Sequence, residues 1–436
     1  MKKLTTKKSL ILYGCSGLGV NMLNLIVGSY LCSALLVGGF DKHIESWTYL
    51  SKDVVIAGVW ALIVMAAKII DGLVDLPLSH WVDNLQSKWG KRKTAIVIGY
   101  IPMIVAYLLF LVPIDKEATV LNTVWFGISL VVFYTAYTLT MITYYATFAE
   151  VTEKREDIVL ISNTKSVCDV VYFSLGYALV PAFVSMGVNI RLVALIFLPL
   201  SLTMLIPLIL LKENDGKEEK AQKTKKVTFV QSFVFTLKDK PYLFWLCVLF
   251  IMNIGLQLFL SGIDEYFSTE GLNMTFVMAS CFVPVPFTIL LYNKIVKKKG
   301  LGFAYRYILL VYSIGMALMG LSRFIPDGIL TAYAIGCSII VSFAIGSFFS
   351  VTYMVPSYRA AARREDGETA SSMYFAVQGL FEGASAGLAS GIILVFLKQN
   401  GYIPYLTVIV AIACMTAFGL SFFLPKAITQ IGKHEE

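Results

Sequence analysis

Lys212-Glu213-Asn214-Asp215-Gly216-Lys217-Glu218-Glu219-Lys220, followed shortly by Lys223-Thr224-Lys225-Lys226, is the one long polar insertion in a chain otherwise made of apolar runs. Its low apolar content and mixed charge, extending over Lys212–Lys240, suit a solvated linker. On both sides of it, runs long enough to span a bilayer, which takes about 20 residues, recur with short polar connections. Apolar runs and their punctuation place spans at 9–39, 53–82, 94–113, 120–148, 160–186, 190–211, 241–265, 273–296, 303–323, 328–355, 367–397 and 402–425. The linker separates six helices from six helices. The expected organisation is a six-helix half over 1–211, a cytoplasmic linker over 212–240 and a second six-helix half over 241–436.

Composition agrees. The 436 residues are 57% hydrophobic and 15% charged, against about a quarter charged in a soluble domain, and the excess apolar surface has to face lipid. The net charge of +8 has a location: counting charges at span ends with the adjoining loops, 28 of the 36 Lys and Arg fall on one side, six on the other, and two, Lys68 and Lys165, deeper inside spans. This positive-inside asymmetry places both termini in the cytoplasm and makes the basic charge a topology signal, with no nucleic-acid partner implied. All seven cysteines lie in apolar spans without the short pair spacing of a zinc or redox motif. The Lys-rich stub from Met1 to Ser9 runs into an apolar stretch too long for a signal-peptide core, so it opens the first membrane helix. The expected fold class is therefore all-α integral membrane, multi-pass in the cell membrane. Two six-helix halves joined by a basic cytoplasmic linker resemble, by analogy, the organisation of the major facilitator fold, whose halves rock around a midplane site.

A charge near the centre of a span costs roughly 2.5–3.5 kcal/mol on insertion scales, so each one marks a functional position. The second span carries Lys68, Asp71 and Asp75. At about 100° per residue these fall within roughly 60° of one another, so both carboxylates and the ammonium share one face. A bound Na⁺ or a proton relieves the repulsion of paired carboxylates, which makes Asp71 and Asp75 a candidate coupling-cation site and Lys68 its charge balance. Thr138 on the fourth span stands at nearly the same depth, about 1.5 Å away along the helix axis, and could add a hydroxyl. The competing reading is a packing ion pair, which a neutral solution would replace without desolvating three charges.

Other polar positions inside spans are Asn21 and Asn24 in the first, and Lys165 and Asp169, one turn apart, in the fifth. Asn253 and Gln257 lie in the seventh, Gln378 and Glu382 in the eleventh. Asn is also common interhelical glue, and Lys165 is near enough to the cytoplasmic end to snorkel. Glu382 is followed by Gly383, Ala384 and Ser385, small residues that allow close helix contact.

The chain resembles the glycoside-pentoside-hexuronide:cation symporter family. The resemblance rests on Tyr13-Gly14, Gly19-Val20-Asn21, Ala67-Lys68-Ile69-Ile70-Asp71-Gly72-Leu73-Val74-Asp75, Trp81-Val82-Asp83, Trp89-Gly90-Lys91-Arg92-Lys93, Tyr137-Thr138 and Ile142 through Thr152. It implies that Asp71, Asp75 and Thr138 bind the coupling cation. Val74 stands where the family has an Asn, which removes a Na⁺ ligand and leaves H⁺ open beside it. It also implies substrate contacts from Asn21, an aromatic platform at Tyr145, a basic residue at Lys165 and, in the eleventh span, Glu382 where the family has Lys. Asp169 joins them as partner of Lys165. The charged turn after the second span, with Asp83, Lys91 and Arg92, resembles the group that holds the cytoplasmic side of major facilitators closed.

The expected function is cation-coupled symport of a sugar, glycoside or related small polar solute by alternating access. A carrier of a lysolipid or other amphiphile is the alternative, to which the apolar Met141 is suited; a non-transporting receptor would require an appended soluble domain or a broken cation motif. No nucleophile–base pair, phosphate loop or metal motif suggests an enzyme, and no cofactor or metal is implied beyond a possible Na⁺ at Asp71 and Asp75.

Overall fold

The computed structural model describes residues 3–37, 45–152, 154–213, 229–272, 274–365 and 371–433; the side chains of a few residues within these stretches, Lys68 and Asp71 among them, lie outside the description. The extended elements among the described residues are helices: α1 (Lys7–Ala34), α2 (Ala57–Asn84), α3 (Lys91–Phe110), α4 (Val120–Ala149), α5 (Arg155–Ser185), α6 (Ile190–Leu210), α7 (Phe229–Lys238), α8 (Lys240–Thr269), α9 (Met274–Phe282), α10 (Val285–Lys299), α11 (Leu301–Met319), α12 (Asp327–Glu365), α13 (Ser371–Lys398) and α14 (Ile403–Ser421). Among the described residues, ten helices are long and apolar enough to cross a membrane. The two remaining expected spans are occupied by α2, 28 residues long, and by the α9–α10 pair. The latter breaks at Pro284 because proline lacks the N–H that a continuous helix would use.

Local sequence explains the helix ends. Thr119 accepts from Asn122 N and starts α4; Asn189 does the same for α6 through Arg191 N at 3.0 Å. Gly90 and Gly300 precede α3 and α11 with φ of +96° and +81°, conformations that side chains rarely adopt. A Cβ at Gly90 would lie 1.9 Å from the Glu213 carboxylate, and one at Gly300 2.6 Å from the Thr429 carbonyl. The residues after α6 and after α14 thus sit against the starts of α3 and α11 by the same device. Two differences from the sequence expectation stand out. The linker is helical over Phe229–Lys238, and α12 runs past the apolar boundary at 355 because Ala360, Ala361 and Ala362 continue it.

The chain forms two compact units, one of Met1–Glu153, Val171–Ser232 and Thr369–Ala376, the other of Lys154–Val170, Phe233–Glu368 and Val377–Glu436. In the first, α3 shows how a membrane helix divides its faces. Ala95, Ile96, Met103, Ala106, Tyr107 and Phe110 are buried, while Ile98, Ile101, Val105 and Leu108 are exposed along the lipid side. An aromatic cluster closes one end, with Phe110 and Phe126 centroids 5.3 Å apart, and Trp60 Nε1 donating to the Cys32 carbonyl at 2.9 Å. In the second unit Tyr312 packs edge-on against Phe348 at 5.1 Å, and Tyr266 Oη donates to the Met319 carbonyl at 2.8 Å.

Candidate functional site

In the first unit, α3 begins with Lys91 and Arg92 because Gly90 permits the tight entry from α2. Arg92 is completely buried. Its Nε donates to Glu150 Oε2 at 3.0 Å and its Nη2 to Glu150 Oε1 at 2.6 Å, a bidentate fork. Nη2 also donates to Asp83 Oδ1 at 2.9 Å, and Nη1 to Ser372 Oγ at 2.7 Å. Two carboxylates around one guanidinium leave the hub net negative by one, and the Ser372 hydroxyl takes the remaining edge of the fork. Lys3 Nζ donates to the Glu150 carbonyl at 2.8 Å, so the N-terminal segment is tied to the same residue.

Glu213 accepts from the backbone N–H groups of Arg92 at 3.1 Å and Lys93 at 3.3 Å, placing a carboxylate on the positive end of α3. Burial pushes its carboxyl above the ordinary carboxylate range, against the pull of those two donors. The structure thus brings Asp83 and Arg92 together. Lys91, half-buried at the start of α3, makes no ion pair among the described residues.

Of the expected cation group, Asp75 is half-buried on α2 and Thr138 is buried on α4. The side chains of Lys68 and Asp71 lie outside the described residues. Of the expected substrate group, two belong to this unit. Asn21, buried on α1, accepts from Tyr137 Oη at 3.0 Å. Tyr145 lies in an aromatic nest, with ring centroids 5.6 Å from Tyr144 and from Phe375 and 5.9 Å from Phe148.

The other three belong to the second unit. Lys165 and Asp169 form an ion pair whose side chains are fully screened from solvent, and Lys165 Nζ lies 4.8 Å from the centroid of the Tyr353 ring on α12. Close by in sequence, Ser350 Oγ donates to Asn163 Oδ1 at 2.5 Å and Ser166 donates to the Gly346 carbonyl, so α5 and α12 are joined by polar contacts over two turns. Glu382 is half-buried on α13: Gln378 Nε2 donates to its Oε1 at 2.8 Å, while Asn253 Nδ2 donates to its carbonyl at 3.2 Å and to Ser385 Oγ at 2.6 Å. A carboxylate, two amides and a hydroxyl on α8 and α13 supply both donors and acceptors, the groups that polyhydroxyl solutes require. At the start of α8, Asp239 accepts a fork from Arg359, Nε to Oδ2 at 2.9 Å and Nη2 to Oδ1 at 2.8 Å.

Residues 12–431 match the family described as MFS/sugar transport protein. The chain belongs to this family. It is therefore a multi-pass membrane transporter and not an enzyme. Solved structures agree on the fold. A fucose:proton symporter of E. coli aligns with a TM-score of 0.63 at 13% identity, over 96% of this chain and 98% of its own. A proton:xylose symporter of the major facilitator superfamily, bound to 6-bromo-6-deoxy-D-glucose, gives 0.65 at 16%, over 97% and 98%. A bacterial homologue of the iron transporter ferroportin gives 0.67 at 15%, over 97% and 99%. Sugar and metal carriers score alike, so this likeness fixes the major facilitator fold and leaves the substrate to the site residues. A search of curated proteins by sequence gave no match.

Three residues of the Arg92 hub were not singled out as functional by sequence reasoning. Glu150 had a signal, an acid on the same membrane side as the basic turn at Lys91–Lys93. Glu213 read as part of a solvated linker. Ser372 lies 280 positions from Arg92, and nothing local in a serine announces such a partner.

Proposed function

We propose that this transporter carries a sugar, glycoside or related small polar solute across the cell membrane in symport with a cation, by alternating access between two six-helix halves, with both termini cytoplasmic. The observation that carries the reading is the Lys165–Asp169 pair, two charges screened from solvent inside a membrane-spanning helix. A packing role alone would be met by apolar residues at lower desolvation cost, so the pair is retained for what it binds. With Tyr353 beside it and the Asn253, Gln378 and Glu382 cluster in the same unit, the chemistry is that of hydroxyl recognition rather than of an apolar tail. Asn21 and Tyr145 would contribute from the first half.

Coupling is assigned to Asp71 and Asp75 with Thr138, and Lys68 as charge balance. The ion is the proton. Val74 offers hydrocarbon where a Na⁺ cage needs another oxygen, and the two sugar carriers of the same fold are themselves proton symporters. Asp83, Arg92 and Glu150 would form the cytoplasmic gate, with Lys91 at its rim and Ser372 as the contact released on opening. Uptake of a panel of sugars and glycosides into proteoliposomes, driven by an imposed pH or Na⁺ gradient, tests the reading. Accumulation of one of them that depends on the pH gradient is expected; uptake indifferent to both gradients removes symport.

A further inference from the structure

Where α1 begins and α6 ends, a cavity of about 190 Å³ lies at one end of the first unit. It is lined by the lysines Lys3 and Lys212, the hydroxyl residues Thr5 and Ser9, and the apolar side chains of Ile209 and Leu210. Lys7 and Lys8 add charge in the first turn of α1, where the helix dipole already favours an anion over a cation. Among the described residues, Glu150 and Glu213 are committed elsewhere, to Arg92 and to the start of α3. Ile209 is 74% exposed, and Ile11 and Leu12, immediately after Ser9, are exposed too. The cavity therefore sits between a basic rim and the exposed apolar side chains of α1 and α6.

We propose that this cavity binds the phosphate of an anionic phospholipid. Lys3 and Lys212 supply the charge, Thr5 donates its hydroxyl hydrogen to a phosphate oxygen, Ser9 does so on turning from the Thr6 carbonyl, to which it donates at 2.8 Å, and the acyl chains lie on the Ile209 side. The volume is below the roughly 300–1,000 Å³ of pockets that enclose a whole small ligand, which matches a headgroup whose tails remain in the bilayer. Free phosphate has the same charge and no use for the apolar wall. Lys3 also holds the backbone carbonyl of Glu150, whose carboxylate belongs to the Arg92 hub, so an occupied cavity braces the proposed gate.

The test is thermal stability of the purified full chain in neutral detergent, titrated with short-chain phosphatidylglycerol, the matched phosphatidylcholine, or inorganic phosphate. Saturable stabilisation by phosphatidylglycerol alone is expected. The Lys3→Gln, Lys212→Gln variant should weaken its apparent affinity about 30-fold, from about 1 kcal/mol per surface lysine at 1.4 kcal/mol per decade; the Lys3→Arg, Lys212→Arg variant should retain it. Should the double Gln variant not fold, Lys212→Gln alone should lose about fivefold. Equal effects of the two lipids, or unchanged affinity in the Gln variants, overturn the proposal. Equal stabilisation by inorganic phosphate overturns a lipid as the source.

Discussion

Replacing Ser372 with alanine removes one hydrogen bond and leaves Asp83 and Glu150 on Arg92. The lost bond is from a buried guanidinium at 2.7 Å, and a hydrogen bond to a charged group is worth about 1.5–3 kcal/mol net. At 1.4 kcal/mol per decade, the state that holds the bond should lose roughly 10- to 100-fold against states that lack it. The full factor appears only if the bond is absent from the other state, because a population responds only to a difference between states. A cysteine introduced at Ala376, which is fully buried, in a background without the native cysteines reports that population. Its alkylation by an impermeant reagent in inverted vesicles should accelerate at least tenfold in Ser372→Ala. Asp83→Ala should act in the same direction. An alkylation rate within twofold of the parent in both variants would refute the assignment of Arg92 as a gate.

The Asp71→Asn, Asp75→Asn variant is expected to lose uphill accumulation while keeping downhill exchange, read as counterflow in proteoliposomes; full gradient-driven uptake rules out this coupling site. Asp169→Asn leaves the Lys165 ammonium buried without its carboxylate and should cost about 3–5 kcal/mol, seen as a lower melting temperature. Lys165→Met with Asp169→Leu should recover the stability and still abolish substrate binding, and normal binding by that double variant would reduce the pair to packing. Glu213 has its carboxyl raised by burial above the unfolded 4.5. The folded state then holds the proton more tightly, so stability should fall as pH rises from 4.5 through the raised folded value. Glu213→Gln should flatten that slope in melting curves, and identical slopes in parent and variant would exclude Glu213 as its origin.

The spans were legible because a helix in lipid must satisfy its backbone internally and show apolar side chains outward, and both demands are written in local sequence. Asp83 and Arg92 were legible for a similar reason: nine residues apart, they share one short turn. Glu150 and Ser372 meet Arg92 across 58 and 280 positions, and partners that far apart are chosen by packing. The extension of α12 escaped because the apolar count ends before Arg359, while the helix-forming Ala360, Ala361 and Ala362 and the fork of Arg359 to Asp239 carry the helix on. Glu213 escaped because composition describes a segment's average and a single carboxylate can depart from it.

The placement of Lys165 and Asp169 four residues apart on one helix bears on how the chain enters the bilayer during synthesis. Each charge alone would cost about 2.5–3.5 kcal/mol at the centre of an inserting helix. An i,i+4 pair neutralises itself as soon as α5 coils, before any neighbouring helix has arrived. Arg92 has no partner on its own helix, but Asp83 lies across the short turn before it, and at the first turn of α3 it can wait in water until α4 brings Glu150. Neither the Lys165–Asp169 pair nor Arg92 thus has to cross the hydrocarbon unaccompanied.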